Sequence, residues 1–112
     1  MTRAEFEHVE ACAKRFVARA RGGDDEALEA LWMETRVSLF SLVPARYRPT
    51  VPPDRLLEVL HLAVLEAALL WQPARGEDYC DAVNRRLKRR LRDYFLQQQS
   101  ILTAVEEVAS VE

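Results

Sequence analysis

The chain is poor in residues that break or cross-link a backbone. Three glycines and five prolines punctuate 112 residues. Strand signals are almost absent, and the apolar residues recur at helical spacing nearly everywhere, which reads against a sheet-built fold. Two cysteines, Cys12 and Cys80, are too few for a disulfide framework and stand in no metal-ligand spacing. Both fall on or beside apolar helix faces, so they read as small buried hydrophobes in a reducing compartment. No run of about 18 uncharged apolar residues exists, so no membrane span is expected. Arg3, Glu5, Glu7 and Glu10 interrupt the first ten residues, which excludes a signal peptide there. The histidines His8 and His61 have no partner at metal-ligand spacing and read as surface or packing residues. No metal or other cofactor is expected. There is no Gly-rich phosphate loop and no nucleophile elbow, and Glu58 and Glu66 are not spaced to face each other as an acid–base pair. Catalysis is not expected either. Lysine is scarce, with only Lys14 and Lys88 against fourteen arginines. A GC-rich genome or selection for phosphate recognition would each account for that bias.

What the chain does have is helical periodicity. Its length suits one domain with a core of its own. The first helix is expected over Arg3–Arg21, opened by a capping box of Thr2 and Glu5 and closed at Gly22 and Gly23. Phe6, Val9, Ala13, Phe16 or Val17, and Ala20 form its buried face. Asp24 is placed to cap a second helix whose apolar side holds Leu28, Leu31, Trp32, Thr35, Leu39 and Leu42. Pro44 ends or kinks it. Residues 44–53, PARYRPTVPP, form a stiff connector. A third helix, from Pro53 or Asp54 to Trp71, is apolar almost all round and belongs in the middle of the bundle. After the loop QPARG a fourth helix runs from about Asp78 to Gln98. The fold class is therefore all-α, a compact bundle of about four helices. Residues 1–99 make the domain. Residues 100–112 make a tail or a short fifth helix, the latter suggested by a second capping-box pattern at Thr103 and Glu106.

The fourth helix is the most informative element. Residues 85–92 read RRLKRRLR, with six cations: Arg85, Arg86, Lys88, Arg89, Arg90 and Arg92. Leu87 and Leu91 continue an apolar line from Val83 towards Tyr94 and Phe95. Core contact and cationic surface are thus built into one helix. Like charges four apart repel on a helix, so something anionic is expected to offset them. DNA phosphates, an acidic protein surface and the chain's own Glu106 and Glu107 all qualify. The net charge of −2 makes this a local patch in a chain that is not generally basic.

The order of elements resembles region 2 of bacterial RNA polymerase sigma factors. FVARARGGDDEALEAL at 16–31, WQPARG at 71–76 and RRLKRRLRDYFL at 85–96 carry the likeness, which spans roughly residues 14–98. Gly23, Asp24, Ala27, Leu28 and Leu31 match the first family motif, Trp71, Pro73 and Gly76 the second, Asp93 and Tyr94 the third. The resemblance implies two surfaces. One, on the third helix, would dock on the clamp helices of the polymerase beta-prime subunit, with Asp54, Arg55, Glu58 and His61 as its residues. The other, on the fourth helix, would hold promoter DNA, mainly by its backbone, through Arg85, Arg86, Lys88, Arg89, Arg90 and Arg92, with Tyr79 as a stacking residue. The chain ends before a second DNA-reading domain would fit, so a region-4-like or other regulatory protein is an expected partner. The expected setting is the cytoplasm, at the nucleoid when bound to polymerase.

Two departures temper the likeness. Family members open the docking helix with Asp-Leu-x-Gln-Glu, where this chain has Arg55, Leu56, Leu57, Glu58 and Val59. The family's promoter-melting aromatics fall at Tyr79, Ala82, Arg85 and Arg86, so one aromatic survives of four. A stacked base is worth about 1–3 kcal/mol, and the helix is expected to hold DNA better than it opens it. An alternative reading is a protein–protein module, an inhibitor, decoy or adaptor, that keeps the fold without promoter melting.

Overall fold

The computed structural model describes the backbone of residues 1–111 and the side chains of residues 1–109. It is an all-α bundle of four helices: α1 (Arg3–Arg21), α2 (Asp25–Phe40), α3 (Pro53–Leu70) and α4 (Tyr79–Val111). No strand occurs among the described residues. None of their helices is long and apolar enough to cross a membrane.

Local chemistry sets the helix ends. Thr2 Oγ1 accepts the Glu5 N–H at 3.1 Å and Glu5 Oε1 accepts the Thr2 N–H at 3.2 Å, a reciprocal capping box. Gly23, at φ +98°, takes the left-handed turn out of α1. Asp24 then caps α2 by accepting the Ala27 N–H at 3.1 Å. α2 stops at Phe40, before Pro44, and the proline-rich connector winds a 3-10 turn at Ala45–Tyr47 that buries Tyr47 and Val51.

α3 packs on α1, α2 and α4, which matches the central place its composition predicts. It buries Leu56, Val59, Leu60, Ala63, Val64, Ala67 and Ala68. A bundle this small does not wrap it fully, and Leu62, Leu69 and Leu70 stay exposed. Leu31, Leu39, Leu56, Leu60, Leu87 and Leu91 are fully buried, each stabilising the fold by about 1.5–3 kcal/mol.

α1 also closes the ends of two other helices. Glu10 accepts the backbone N–H groups of Tyr79 and Cys80 at 2.8 and 2.9 Å, satisfying two orphan donors at the positive end of α4. Arg21, near the other end of α1, donates to the carbonyls of Ala68, at 2.7 Å, and Trp71, where α3 stops. Between them the WQPARG loop turns at Gly76, φ +77°, with Trp71 Nε1 donating to the Glu77 carbonyl at 2.7 Å.

α4 runs unbroken to Val111, so residues 100–111 continue it and form no separate fifth helix. No glycine or proline interrupts 79–111. The Thr103 hydroxyl bonds back to the Gln99 carbonyl at 3.0 Å instead of capping a new start. Beyond Leu96 the helix leaves the bundle. Phe95, Leu96, Ile101, Leu102, Val105 and Val108 are all exposed, and the molecule is drawn out to 58 × 30 × 26 Å.

Candidate nucleic-acid interface

Val83, Leu87 and Leu91 are fully buried and fix which way α4 faces. With that line inward, the basic run divides. Arg86 is 7% exposed. Its Nη1 donates to the Ala82 carbonyl at 2.9 Å, and its Nε lies 3.7 Å from Glu66 on α3. Arg90 donates to the same carboxylate, with its Nε at 3.0 Å from Oε2. Arg85 is solvent-facing but pairs with Glu77 at 2.8 Å. Lys88, Arg89 and Arg92 are exposed and form no ion pair among the described residues.

This corrects the assignment of Arg86 and Arg90 to a DNA-facing surface. A buried carboxylate-facing arginine and one clamped across a helix interface serve the α3–α4 contact. It also answers what offsets the clustered charge: part of the offset is internal and comes from Glu66 and Glu77. Tyr79 is corrected as well. It is 0% exposed, its hydroxyl donates to the Val64 carbonyl at 3.2 Å, and its ring meets Trp71 edge-on at 5.3 Å. Burial raises its phenol pKa strongly. No base can stack on it in this packing. Of the four positions where the family carries melting aromatics, Tyr79, Ala82 and Arg86 face the core and only Arg85 faces solvent.

The exposed cations gather in a groove. Arg85, Lys88, Arg89 and Arg92 line it from α4 with Asp93 and Leu96, and Arg46 and Tyr47 line it from the 3-10 turn. Its volume is about 470 Å³. The Arg46 guanidinium sits 5.0 Å from the centre of the Tyr47 ring, which holds it in place by cation–π attraction. Tyr47 in turn meets Phe95 edge-on at 6.4 Å. A cationic floor with one stacked arginine suits a phosphate backbone. Arg46 was not among the expected residues. The signal was present in the ARYR of the connector, two arginines about a tyrosine, but only the fold brings it beside α4.

The expected docking residues lie on the opening turns of α3. Asp54, Arg55 and Glu58 are exposed, and Arg55 donates to Glu58 at 2.9 Å. That hydrogen bond raises the Arg55 pKa. His61 instead stacks flat on Trp32 of α2, with ring centres 4.3 Å apart, so its face is taken by packing. Beside it Trp32, Arg36, Val37, Phe40 and Leu57 line a largely apolar groove of about 500 Å³ between α2 and α3.

One further group was missed. His8 and Cys12 stand four residues apart on α1, and Glu34 of α2 meets them: the three donor atoms fall within 4.8 Å of one another. His8 therefore does have partners at ligand spacing, one of them readable as His-x-x-x-Cys on a single helix face. No protein-family model, curated protein or solved structure matches this chain.

Proposed function

We propose that this chain acts in transcription as a sigma-region-2-like protein, holding DNA in the Arg46–Lys88–Arg89–Arg92 groove and docking on RNA polymerase core through the α2–α3 face. The observation that carries the reading is that groove: five exposed cations from two elements converge beside Tyr47, and among the described residues only Arg85 of them is in an ion pair, while Arg86 and Arg90 are drawn off by Glu66. The ordered GGDDEALEAL, WQPARG and DYFL segments support it from the sequence. Asp54, Arg55 and Glu58 supply a polar edge to the apolar α2–α3 groove, a composition suited to protein docking.

In this reading the groove grips backbone phosphates and does not melt the duplex, because Tyr79 is occupied in the core. That same burial favours the second reading, a protein–protein module that keeps the docking face and has lost promoter opening.

Retention of core polymerase by the immobilised chain, with a true sigma factor run in parallel, is the test. Retention supports both readings and its absence defeats both. DNA affinity measured against salt then separates them: a steep dependence supports the first reading, and a flat, weak response the second.

A further inference from the structure

His8 and Cys12 leave the same face of α1 because they are four residues apart, and that face meets α2 at Glu34. Cys12 is 5% exposed. Its sulfur lies 3.5 Å from Glu34 Oε2, and 3.7 and 4.0 Å from His8 Nε2 and Nδ1. His8 Nε2 is itself 3.0 Å from the Glu34 backbone carbonyl. These residues line neither the basic groove nor the α2–α3 groove.

We infer that His8, Cys12 and Glu34 bind a zinc-class divalent cation that clasps α1 to α2. A nitrogen, a sulfur and a carboxylate oxygen form a donor set that zinc accepts, with a fourth position left to solvent. The geometry agrees. Bonds of about 2.3 Å to sulfur and 2.0–2.2 Å to nitrogen or oxygen, at tetrahedral angles, need ligand–ligand edges of about 3.5–3.6 Å. The sulfur–carboxylate edge has that length already, the sulfur–Nδ1 edge needs to close by a few tenths of an ångström, and the nitrogen–carboxylate edge, within 4.8 Å, closes to about 3.4 Å by rotation of the exposed His8 and Glu34 side chains.

The outer shell fits as well. With Nε2–H donating to the Glu34 carbonyl, Nδ1, 4.0 Å from the sulfur, is left as the nitrogen free to bind the cation. A metal-bound histidine ordinarily has its other nitrogen fixed in this way, which sets ring orientation and tautomer. Without a cation the Cys12 thiol donates to the Glu34 carboxylate. On binding, the sulfur–metal bond replaces the sulfur–hydrogen bond and the proton goes to solvent. Thiolate and carboxylate then neutralise the divalent charge, so the half-buried site holds no net charge.

Cobalt(II) is the probe. The reduced, chelator-treated chain is titrated with Co²⁺ and read by absorption. The expected result is a single equivalent bound, with a thiolate-to-cobalt charge-transfer band, tetrahedral d–d intensity and displacement by Zn²⁺. Cys12→Ser removes the charge-transfer band, and Cys80→Ser keeps it. Loss of a merely supporting group costs about 10–100-fold in metal affinity, so Glu34→Gln weakens cobalt binding by more than about tenfold. Glu34 and His8 are exposed, so Glu34→Gln and His8→Ala report on the site even where Cys12→Ser disturbs packing. Absence of the band in the parent chain, its survival in Cys12→Ser, or unchanged affinity in both Glu34→Gln and His8→Ala would overturn the inference.

Discussion

Arg90 of α4 and Glu66 of α3 are joined across the helix interface, and Arg86 reaches the same carboxylate from one turn earlier. A run of six cations is thereby split between the inside and the outside of one helix. The division separates variants expected to change binding from variants expected to change stability.

DNA binding is expected to involve about four phosphates, through Arg46, Lys88, Arg89 and Arg92. The slope of log affinity against log salt for duplex DNA is then about −3.6. Arg89→Ala or Arg46→Ala makes it shallower by about 0.9. Fluorescence anisotropy across a salt series checks this, and an unchanged slope in Arg46→Ala would remove the connector from the interface.

Arg86→Ala is expected to leave that slope unaltered and to destabilise the fold by about 1–3 kcal/mol, through a lost buried hydrogen bond and the packing of the aliphatic stem. Urea denaturation of the variant gives the number.

Glu10→Ala uncaps α4 from a distance of 69 residues. Losing an N-cap costs about 0.5–2 kcal/mol, and the bidentate contact at the positive helix end places this variant in the upper half of that range. Equilibrium unfolding measures the loss, and amide exchange at Tyr79 and Cys80 is expected to accelerate with it.

Cys80 is buried, and desolvation, with the Glu10 charge beside it, pushes its thiol up to about 12 from an ordinary 9.0. At neutral pH that leaves about a thousandfold less thiolate than in an ordinary cysteine. Alkylation of the native chain at Cys80 is expected to be markedly slower than in denaturant, where it becomes ordinary. Mass spectrometry of the labelled peptide reads it.

Asp24 accepts the Ala27 N–H and pairs with Arg19, and these contacts, the backbone bond first, hold its carboxyl below the ordinary 3.8. The sign follows. Its contribution is present in full above 3.8 and is lost as pH falls through the lower folded value. Asp24→Asn is expected to flatten the acid limb of the stability profile in that window. An NMR titration of the carboxyl locates the folded midpoint.

How far the chain could be read ahead of its structure depended on the range of each interaction. Thr2–Glu5, Gly23 and Asp24 act within one turn of themselves, and the first two helices begin where their caps predict. The fate of Arg86 depended on the rotation of α4 against α3, which places Glu66 beside it from 20 residues away in sequence. The family resemblance, carried over residue by residue, assigns Tyr79 to a surface position. The line Val83–Leu87–Leu91 turns that position into the core. His8 and Cys12 were legible as a pair at helical spacing, whereas Glu34 joined them only through the packing of α1 on α2.

α4 is one continuous hydrogen-bonded rod, yet two regimes of stability meet within it. As far as Leu91 its turns are pinned by buried side chains, so their amides open only when the bundle does. Past Leu96 the large apolar side chains are exposed, and an isolated helix shorter than about 12–15 residues is marginal in water without tertiary support. Protection against exchange should fall from the global value to almost none within three turns. Any partner that covers Phe95, Ile101, Leu102 and Val105 would extend the cooperative unit along the rod, and its binding would register as lengthened protection even if no atom of the bundle moved.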